Sequence, residues 1–326
     1  MASLSTGILE IAQELSRSDF VAIGAWQLGR QSHPGLLRRA TLALSRRAGG
    51  GLDLADHERR KENVLVRETQ PEVELIARPS IDLEALERYL KTVGGESWLQ
   101  MRKDQNEGLN PGQLVIEAAG RACYRSWKEG LNPNVKRVRR DQGEYFLNLL
   151  RSGHGSVLEH ANYTFILYNV SRVFTHELTR HRAGSAFSQE SLRFVRLDEI
   201  PFRIPEAMES LRPQIISILE TLEDFQVSAA EHFGLDEEGV PFHTKKEITS
   251  ALRRLAPDGV STVIFWTANI RTLRHTIYMR TDPGAEEEIR LVFDKIGRIM
   301  KQEAPLLFGD FEVAEDGHWQ TDYKKV

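Results

Sequence analysis

Cysteine is nearly absent from this sequence: Cys123 is the one cysteine among 326 residues. A single thiol permits neither an internal disulfide nor a cysteine cluster around a metal, which favours a reducing compartment. The sequence also lacks an uninterrupted apolar run of membrane-spanning length. Acidic residues interrupt its first apolar segment, whereas a secretion signal has an unbroken apolar stretch. We therefore expect a cytoplasmic protein with no membrane partner and no metal centre.

A basic excess is missing as well. The formal net charge is −4, whereas nucleic-acid-binding domains are usually basic, so we expect no nucleic-acid partner. The sequence contains neither a G-x-G-x-x-G motif nor a Walker A motif, and therefore gives no sign of a Rossmann dinucleotide site or a P-loop. Its hydrophobic content of 40% and charged content of 28% are those of an ordinary globular protein.

Residues 1–70 differ in pattern from the rest of the chain. Apolar residues recur at helical spacing from Ile8 to Leu15, and the arginine-rich segment that follows ends at Gly49–Gly51. A charged run then precedes a globular pattern that begins at Pro71, which is typical of a domain boundary. We expect residues 1–70 to form an N-terminal extension, helical or partly disordered, and residues 71–326 to form the main domain.

From Pro71 onward, the hydrophobic periodicity predicts mostly helices with a few strands. Asp82 and Ser171 are suitable helix caps, whereas Gly94 and Pro257 are suitable helix ends. Strands are predicted at 73–77 and 163–170, extended structure at 188–195, a loop at 99–110, and helices at 82–93, 112–125, 139–151, 171–182, 206–233, 244–255, 269–280 and 285–302. Strands and helices do not alternate regularly, so the fold class is α+β and predominantly helical.

The stretch from Thr179 to Phe194 has an unusual concentration of polar groups: T-R-H-R-A-G-S-A-F-S-Q-E-S-L-R-F. Consecutive residues of a helix point about 100° apart, so the Arg180–Arg182 side chains must fan out toward more than one group of a ligand. Guanidiniums, an imidazole, a hydroxyl and an amide suit a ligand with phosphates and planar carbonyls, such as a nucleotide. The alternative is a solvated basic turn. The apolar segments on both sides favour a pocket.

Other motifs in the chain are weaker. His176 and His181 suggest the zinc motif H-E-x-x-H, but their spacing of five puts the rings about 140° apart on a helix, which disfavours a zinc protease. The turn from Gly153 to Ser156 offers backbone donors for a phosphate, although such a turn also simply ends a helix. Several arginines flank apolar segments, as a pocket for a polyanion requires: Arg180, Arg182, Arg193, Arg253, Arg271 and Arg280.

Taken together, these motifs resemble the flavin-dependent thymidylate synthases. The shared order is G-H-x-S-x-x-E-H at 153–160, then R-H-R, then S-Q-x-S-x-R-F at 188–194, then N-x-R at 269–271 and a late arginine. The resemblance covers residues 71–310. Eight residues separate Arg182 from Ser191, where the family motif has seven. Phe194 replaces the usual tyrosine, and Glu177 stands where glutamine is common.

The resemblance implies a homotetramer of α+β subunits with a central, mostly antiparallel sheet, in which residues 71–326 form the catalytic domain and several chains build each active site. It implies FAD as cofactor, methylenetetrahydrofolate as carbon donor, NADPH as reductant and dUMP as acceptor. The positions that match FAD contacts are His154, Ser156, Glu159, Arg180, His181, Arg182, Asn269, Arg271 and His275. Those that match nucleotide contacts are Glu177, Arg180, Gln189, Ser191, Arg193, Arg253 and Arg280, the last matching the catalytic arginine that favours ionisation of uracil N3.

Two alternatives remain open at the level of sequence: a specialised uracil C5-methylase that accepts UMP, and a non-catalytic relative that binds flavin or nucleotide. The extra residue between Ala183 and Phe187 is expected to widen the pocket around the ribose, which would admit UMP beside dUMP. The other class of thymidylate synthase uses a thiolate. Here only Cys123 is available, and we expect it in the core of an apolar helix.

Overall fold

The computed structural model describes residues 67–105 and 109–326. The predicted N-terminal extension lies outside the described residues except for 67–70. The described part of the chain is built around a four-stranded sheet, in the order β1-β2-β4-β3, with every neighbouring pair antiparallel. Its strands are β1 (Glu72–Ala77), β2 (Asn162–Ser171), β3 (Ser185–Gln189) and β4 (Ser261–Asn269). This confirms the α+β class with a central antiparallel sheet.

Helices make up most of the remaining regular structure in the described residues. In chain order they are α1 (Leu83–Val93), α2 (Glu96–Asp104), α3 (Pro111–Tyr124), α4 (Gln142–Arg151), α5 (Arg172–Leu178), α6 (Arg212–His232), α7 (Phe242–Leu252), α8 (Ile270–Arg280), α9 (Glu287–Glu303) and α10 (Pro305–Phe308). Short 3₁₀ segments occupy Gly155–His160, Glu206–Leu211 and Arg253–Leu255, and a two-stranded sheet pairs β5 (Glu312–Val313) with β6 (Trp319–Gln320). No helix of the described residues is long and apolar enough to cross a membrane.

The main core lies against one face of the sheet. Alternate residues of β2 and β4 point into it, and Phe165 and Trp266 are fully buried, as the two-residue period of a strand requires. Helix α9 presents Ile289, Phe293 and other residues at helical spacing to the same core. Burial of each such side chain contributes about 1.5–3 kcal/mol. The core therefore holds α8 and α9 firmly against the sheet.

The predicted helix caps are confirmed. The Asp82 carboxylate accepts a hydrogen bond from the N–H of Ala85 at 2.9 Å, and the Ser171 hydroxyl accepts one from the N–H of Phe174 at 3.0 Å. Gly94 ends α1 in the left-handed region, with φ at 70°, where a glycine has no Cβ penalty. Local side-chain chemistry thus sets these boundaries.

The predicted loop at 99–110 is wrong over its first half, where α2 forms, while residues 106–108 lie outside the described residues. Trp98 and Arg102 of α2 are buried. The Arg102 guanidinium donates to the buried Glu117 carboxylate at 2.7 and 2.9 Å. The buried Arg102 gives this segment the polar composition of a loop, although the inner face of α2 packs against α3.

Three other boundaries differ from the predictions. The helix capped by Ser171 ends at Leu178, before the arginine–histidine–arginine sequence. The extended segment predicted at 188–195 is strand only to Gln189, because a turn begins at Ser191. The long helix predicted from 206 begins as a 3₁₀ segment. Cys123 is exposed, which corrects the expectation that it packs in the core, since the final turn of α3 leaves the protein interior.

Candidate active site

The arginine–histidine–arginine turn follows α5 directly. Leu178 is fully buried at the end of the helix, and the N–H groups of Arg180 and His181 donate to the carbonyls of Glu177 and Leu178 at 3.2 and 3.0 Å. In such a tight turn, consecutive side chains diverge, as their adjacency predicts. Arg180 and Arg182 are exposed, whereas His181 is half-buried. The buried end of α5 thus anchors a turn whose cations face outward.

These side chains line a cavity of about 590 Å³ beside the N-terminal end of α8, which we call the RHR cavity. Asn269 caps α8: its side-chain oxygen accepts from the N–H of Thr272 at 2.9 Å. This cap fixes the first turn of the helix at the wall of the cavity. The cavity brings together most of the predicted FAD contacts, namely Glu159, Arg180, His181, Arg182, Asn269, Arg271 and His275.

Arg280, at the last position of α8, is tied to the RHR turn. Its Nε donates to Nε2 of His181 at 2.7 Å, and its Nη1 donates to Oε2 of Glu177 at 2.9 Å. The Arg280 side chain is 20% exposed and that of Glu177 32% exposed. One hydrogen-bonded group therefore contains residues predicted for the cofactor and for the nucleotide.

His181 is neutral in this group. Burial, the charge of Arg280 and the nearby His275 lower the pKa of His181 from 6.5 to about 4. A guanidinium N–H can only donate, so Nε2 of His181 accepts and the ring proton resides on Nδ1. His181 thus orients Arg280 as an uncharged acceptor.

Glu159 pairs with Arg271 across the same cavity. Nη1 of Arg271 donates to Oε1 of Glu159 at 2.6 Å, and both side chains are about half exposed. An exposed pair of this kind adds little stability, about 0–1 kcal/mol, so its main effect is orientation. A Cβ at Gly155 would lie 2.8 Å from Nε of Arg271. Glycine at this position therefore allows the Gly155–His160 segment to approach α8 closely.

The remaining predicted FAD contacts are His154 and Ser156, on either side of Gly155. The His154 ring stacks on Tyr124, with centroids 5.5 Å apart and planes 14° apart, and lines a separate cavity of about 260 Å³ with Arg121 and Arg139. Ser156 is exposed on the Gly155–His160 segment. Neither is among the described residues that line the RHR cavity, so their contacts with FAD stay predictions.

Two predicted nucleotide contacts, Arg193 and Arg253, line a second cavity of about 700 Å³, which we call the Arg253 cavity. Arg172, Lys246 and Arg254 also line it, and the sequence analysis missed all three. Lys246 precedes Arg253 by seven residues, two turns of a helix, so helical periodicity was the available signal. Cationic side chains outnumber the carboxylates of the cavity, which belong to Glu247 and Asp258.

Arg172, the first residue of α5, has an unsatisfied group in this cavity. Its Nη1 is buried and makes no hydrogen bond with the described residues. Burial and the charge of Arg253 lower the pKa of Arg172. A buried unpaired donor costs about 1–3 kcal/mol, and more when charged. An anionic ligand in the cavity would relieve the repulsion between the Arg172 and Arg253 guanidiniums.

Gln189 and Ser191 lie on the path from the sheet to the Arg253 cavity. The Gln189 amide donates to the Thr175 hydroxyl at 3.1 Å, which ties the end of β3 to α5. The Ser191 hydroxyl accepts from the N–H of Arg193 at 3.4 Å and holds the turn that carries this arginine. In this structure both residues shape the backbone, and their contacts with a nucleotide stay predictions.

The stretch predicted to contain the extra residue, Ala183 to Phe187, divides between a turn and the first residues of β3. Residues Ser185 to Gln189 pair with Ala268 to Ile264 without a register shift, and the N–H of Glu190 continues the pairing to Val263 at 2.9 Å. The irregular part is therefore Ala183–Gly184. Gly184 has φ at 67°, and a Cβ there would lie 2.2 Å from the Asn269 amide. This turn lines the RHR cavity, and the effect of the extra residue on the ribose pocket stays a prediction.

A further contribution to the RHR cavity comes from Lys324, Lys325 and Val326. In sequence this segment is merely polar. Its position depends on tertiary packing, because Trp319 and Val326 are buried against the main core. No local pattern in the sequence signals such a contact.

The sequence of this chain is similar to those of a known protein family. Residues 108–306 match the family model described as "Thymidylate synthase complementing protein". The chain is 36% identical to the flavin-dependent thymidylate synthase of Mycobacteroides abscessus over 219 residues, which is 65% of this chain and 84% of that protein. It is 36% identical over 207 residues to the protein of the same name from Corynebacterium efficiens, covering 62% and 80% of the two chains. The chain therefore belongs to the thymidylate synthase complementing protein family and is an enzyme of the flavin-dependent thymidylate synthase type.

Proposed function

We propose that this protein methylates dUMP at uracil C5 to give dTMP, with FAD as cofactor, methylenetetrahydrofolate as carbon donor and NADPH as reductant. The observation that carries the proposal is the Arg280–His181–Glu177 group. It joins a cationic cavity suited to a flavin dinucleotide to an arginine suited to activating a uracil ring.

The RHR cavity fits FAD by the chemistry of its donors. Among the described residues that line it, Glu159 carries the only side-chain carboxylate, and Arg271 neutralises it. Arg180 and Arg182 would hold the phosphates by charge-assisted hydrogen bonds, and Asn269 and His275 line the same cavity. When bound, FAD would supply the hydride chemistry that reduces the transferred carbon.

Arg280 would activate the acceptor. Uracil C5 is a poor nucleophile until electron density is pushed into the ring, and a guanidinium beside O2 and N3 stabilises the anionic form. One well-placed donor lowers a barrier by about 3–4 kcal/mol. Because His181 and Glu177 already hold Nε and Nη1, the guanidinium is oriented before the substrate binds. Such preorganisation is what makes electrostatic stabilisation effective.

The Arg253 cavity supports a nucleotide monophosphate as the substrate. A phosphate would meet Arg193 and Arg253, and Arg172 lines the same cavity. Forked guanidiniums match phosphate oxygens in geometry as well as charge. The phosphate would thus be bound by residues separate from those that address the base.

We propose further that each active site combines residues of several copies in a homotetramer. The RHR cavity and the Arg253 cavity share no lining residue. They lie at opposite ends of β3, whose five residues span about 17 Å. Exposed apolar side chains on the outer face of the sheet, such as Phe265 and Ile76, supply a surface for association.

Mixed assemblies test this arrangement. Arg182→Ala changes the RHR cavity, and Arg193→Ala changes the Arg253 cavity. If one active site combines the RHR cavity of one copy with the Arg253 cavity of another, an assembly of the two variants contains some sites in which both arginines are intact. We expect co-expressed variants to recover part of the activity that each lacks alone. Mixed assemblies as inactive as their parents would place both cavities of one site in the same copy.

The alternatives are less well supported. Acceptance of UMP rests on a wider ribose pocket, whereas Ala183 and Gly184, in the stretch with the extra residue, line the RHR cavity. A non-catalytic relative would leave the oriented Arg280 without a role. An assay of dTMP formation by the full-length protein, with FAD, methylenetetrahydrofolate, NADPH and dUMP omitted in turn, tests the proposal. Product should require all four, and UMP should replace dUMP poorly; product without one component would remove that component from the reaction.

A further inference from the structure

The segment from Thr321 to Val326 is fixed against the protein body. The Thr321 hydroxyl donates to Asp310 at 2.5 Å, and Asp310 accepts from the buried Arg274 at 2.7 and 2.8 Å. Val326 is only 4% exposed and packs in the main core. The two lysines between these anchors therefore occupy defined positions.

Both lysines face the RHR cavity. Nζ of Lys324 lies 4.9 Å from the centroid of the Tyr278 ring on α8, which holds this side chain by a cation–π contact. Lys325 is exposed beside it. The segment thus brings two ammonium groups to a cavity that already contains Arg180 and Arg182.

The charges of this cavity are poorly balanced. Glu159 is the only side-chain carboxylate among the described lining residues, and it is already paired with Arg271. Cations gathered in one cavity repel each other unless an anion lies between them. Two arginines suffice for one phosphate group, so the additional lysines indicate a ligand with more than one.

We propose that Lys324 and Lys325 bind a phosphate group of a dinucleotide in the RHR cavity. The inference rests on the proposed function, which supplies two dinucleotides of this chemistry, the flavin cofactor and the nicotinamide reductant. The lysines bind the phosphate and not the flavin or nicotinamide ring, since an ammonium is a compact point charge that cannot match a planar ring as a guanidinium can.

The test compares the full-length protein with Lys324→Ala/Lys325→Ala. Apoprotein is titrated with FAD, FMN and riboflavin, and KM for NADPH is measured at saturating FAD. We expect the double variant to weaken FAD binding, or to raise KM for NADPH, by about tenfold, with riboflavin binding unchanged. A change in FAD binding assigns the lysines to the cofactor; a change confined to KM assigns them to the reductant.

Two variants control the comparison. Lys324→Arg/Lys325→Arg keeps the charge and should retain wild-type binding. Lys91→Ala/Lys103→Ala removes the same charge from α1 and α2, whose lysines pair with Glu87, and should change neither quantity. Wild-type values for both dinucleotides in the Lys324→Ala/Lys325→Ala variant, or an equal loss of riboflavin binding, would overturn the inference. Failure of the wild-type protein to bind any flavin would instead overturn the proposed function.

Discussion

Nε of Arg280 donates a hydrogen bond to Nε2 of His181 across 2.7 Å. The two residues lie at the end of α8 and in the turn after α5, so this bond joins two elements that the sequence separates by 99 positions. Because His181 is neutral, it accepts this hydrogen bond without neutralising the positive charge of the guanidinium. The bond fixes the orientation of the Arg280 guanidinium.

Replacement of Arg280 should separate flavin binding from catalysis. Arg280→Ala should retain FAD and lose activity on dUMP by a factor of about 10²–10³, as for removal of one preorganised donor. Flavin absorbance and kcat measure the two effects. Arg298→Ala is the control, because Arg298 pairs with Asp294 on the solvent-facing side of α9, and it should leave both unchanged. Full activity in Arg280→Ala would remove this residue from the chemistry.

The depressed pKa of His181 predicts a pH dependence of stability. The folded value is about 4, against an ordinary value of 6.5. Between these values the unfolded chain binds a proton at His181 that the folded chain does not, so the free energy of unfolding falls as the pH falls. The contribution is intact above pH 6.5 and is lost toward pH 4. Tm of wild type should therefore decline more steeply over this window than Tm of His181→Gln; equal slopes would contradict the assignment.

Gly184 should be sensitive to substitution for two reasons. Its φ of 67° is unfavourable for a residue with a Cβ, at about 1–2 kcal/mol, and the Cβ would collide with Asn269, which adds about 1–3 kcal/mol. Gly184→Ala should therefore lower the denaturation midpoint and weaken FAD binding. Gly130→Ala is matched, since φ is 85° there with open space around it, and should show only the smaller loss. Similar effects of the two changes would contradict the close packing of this turn.

Cys123 should be dispensable. The residue is exposed at the end of α3, and the proposed chemistry uses no thiolate addition to the uracil ring. Cys123→Ser should retain wild-type kcat on dUMP and wild-type Tm. Loss of turnover in a folded Cys123→Ser protein would indicate thiolate chemistry instead.

The sequence predicted those features of the fold that depend on residues close together in the chain. The caps at Asp82 and Ser171 and the strand at 163–170 depend on neighbouring residues, and these features were predicted correctly. Helix α2 was not predicted, because an arginine such as Arg102 is usually solvent-exposed, and only the folded structure shows that it is buried against Glu117. A polar residue buried by a distant partner carries no periodic signal.

The same distinction applies to the candidate site. The motif residues of the RHR cavity were predicted by their order along the chain, and most of them converge. Arg172 and the lysines at 324 and 325 were missed, since their positions depend on tertiary packing. The effect of the extra residue on the ribose pocket stays a prediction. The stretch Ala183–Phe187 divides between a turn that lines the RHR cavity and the first residues of β3.

A single-turnover experiment tests the central claim most directly. Enzyme with bound FAD is reduced with NADPH in the absence of oxygen, freed of excess reductant, and mixed with methylenetetrahydrofolate and dUMP. The proposed function predicts that the flavin is reoxidised and that one dTMP forms for each flavin reoxidised. Flavin that stays reduced, or reoxidation without dTMP, would contradict it.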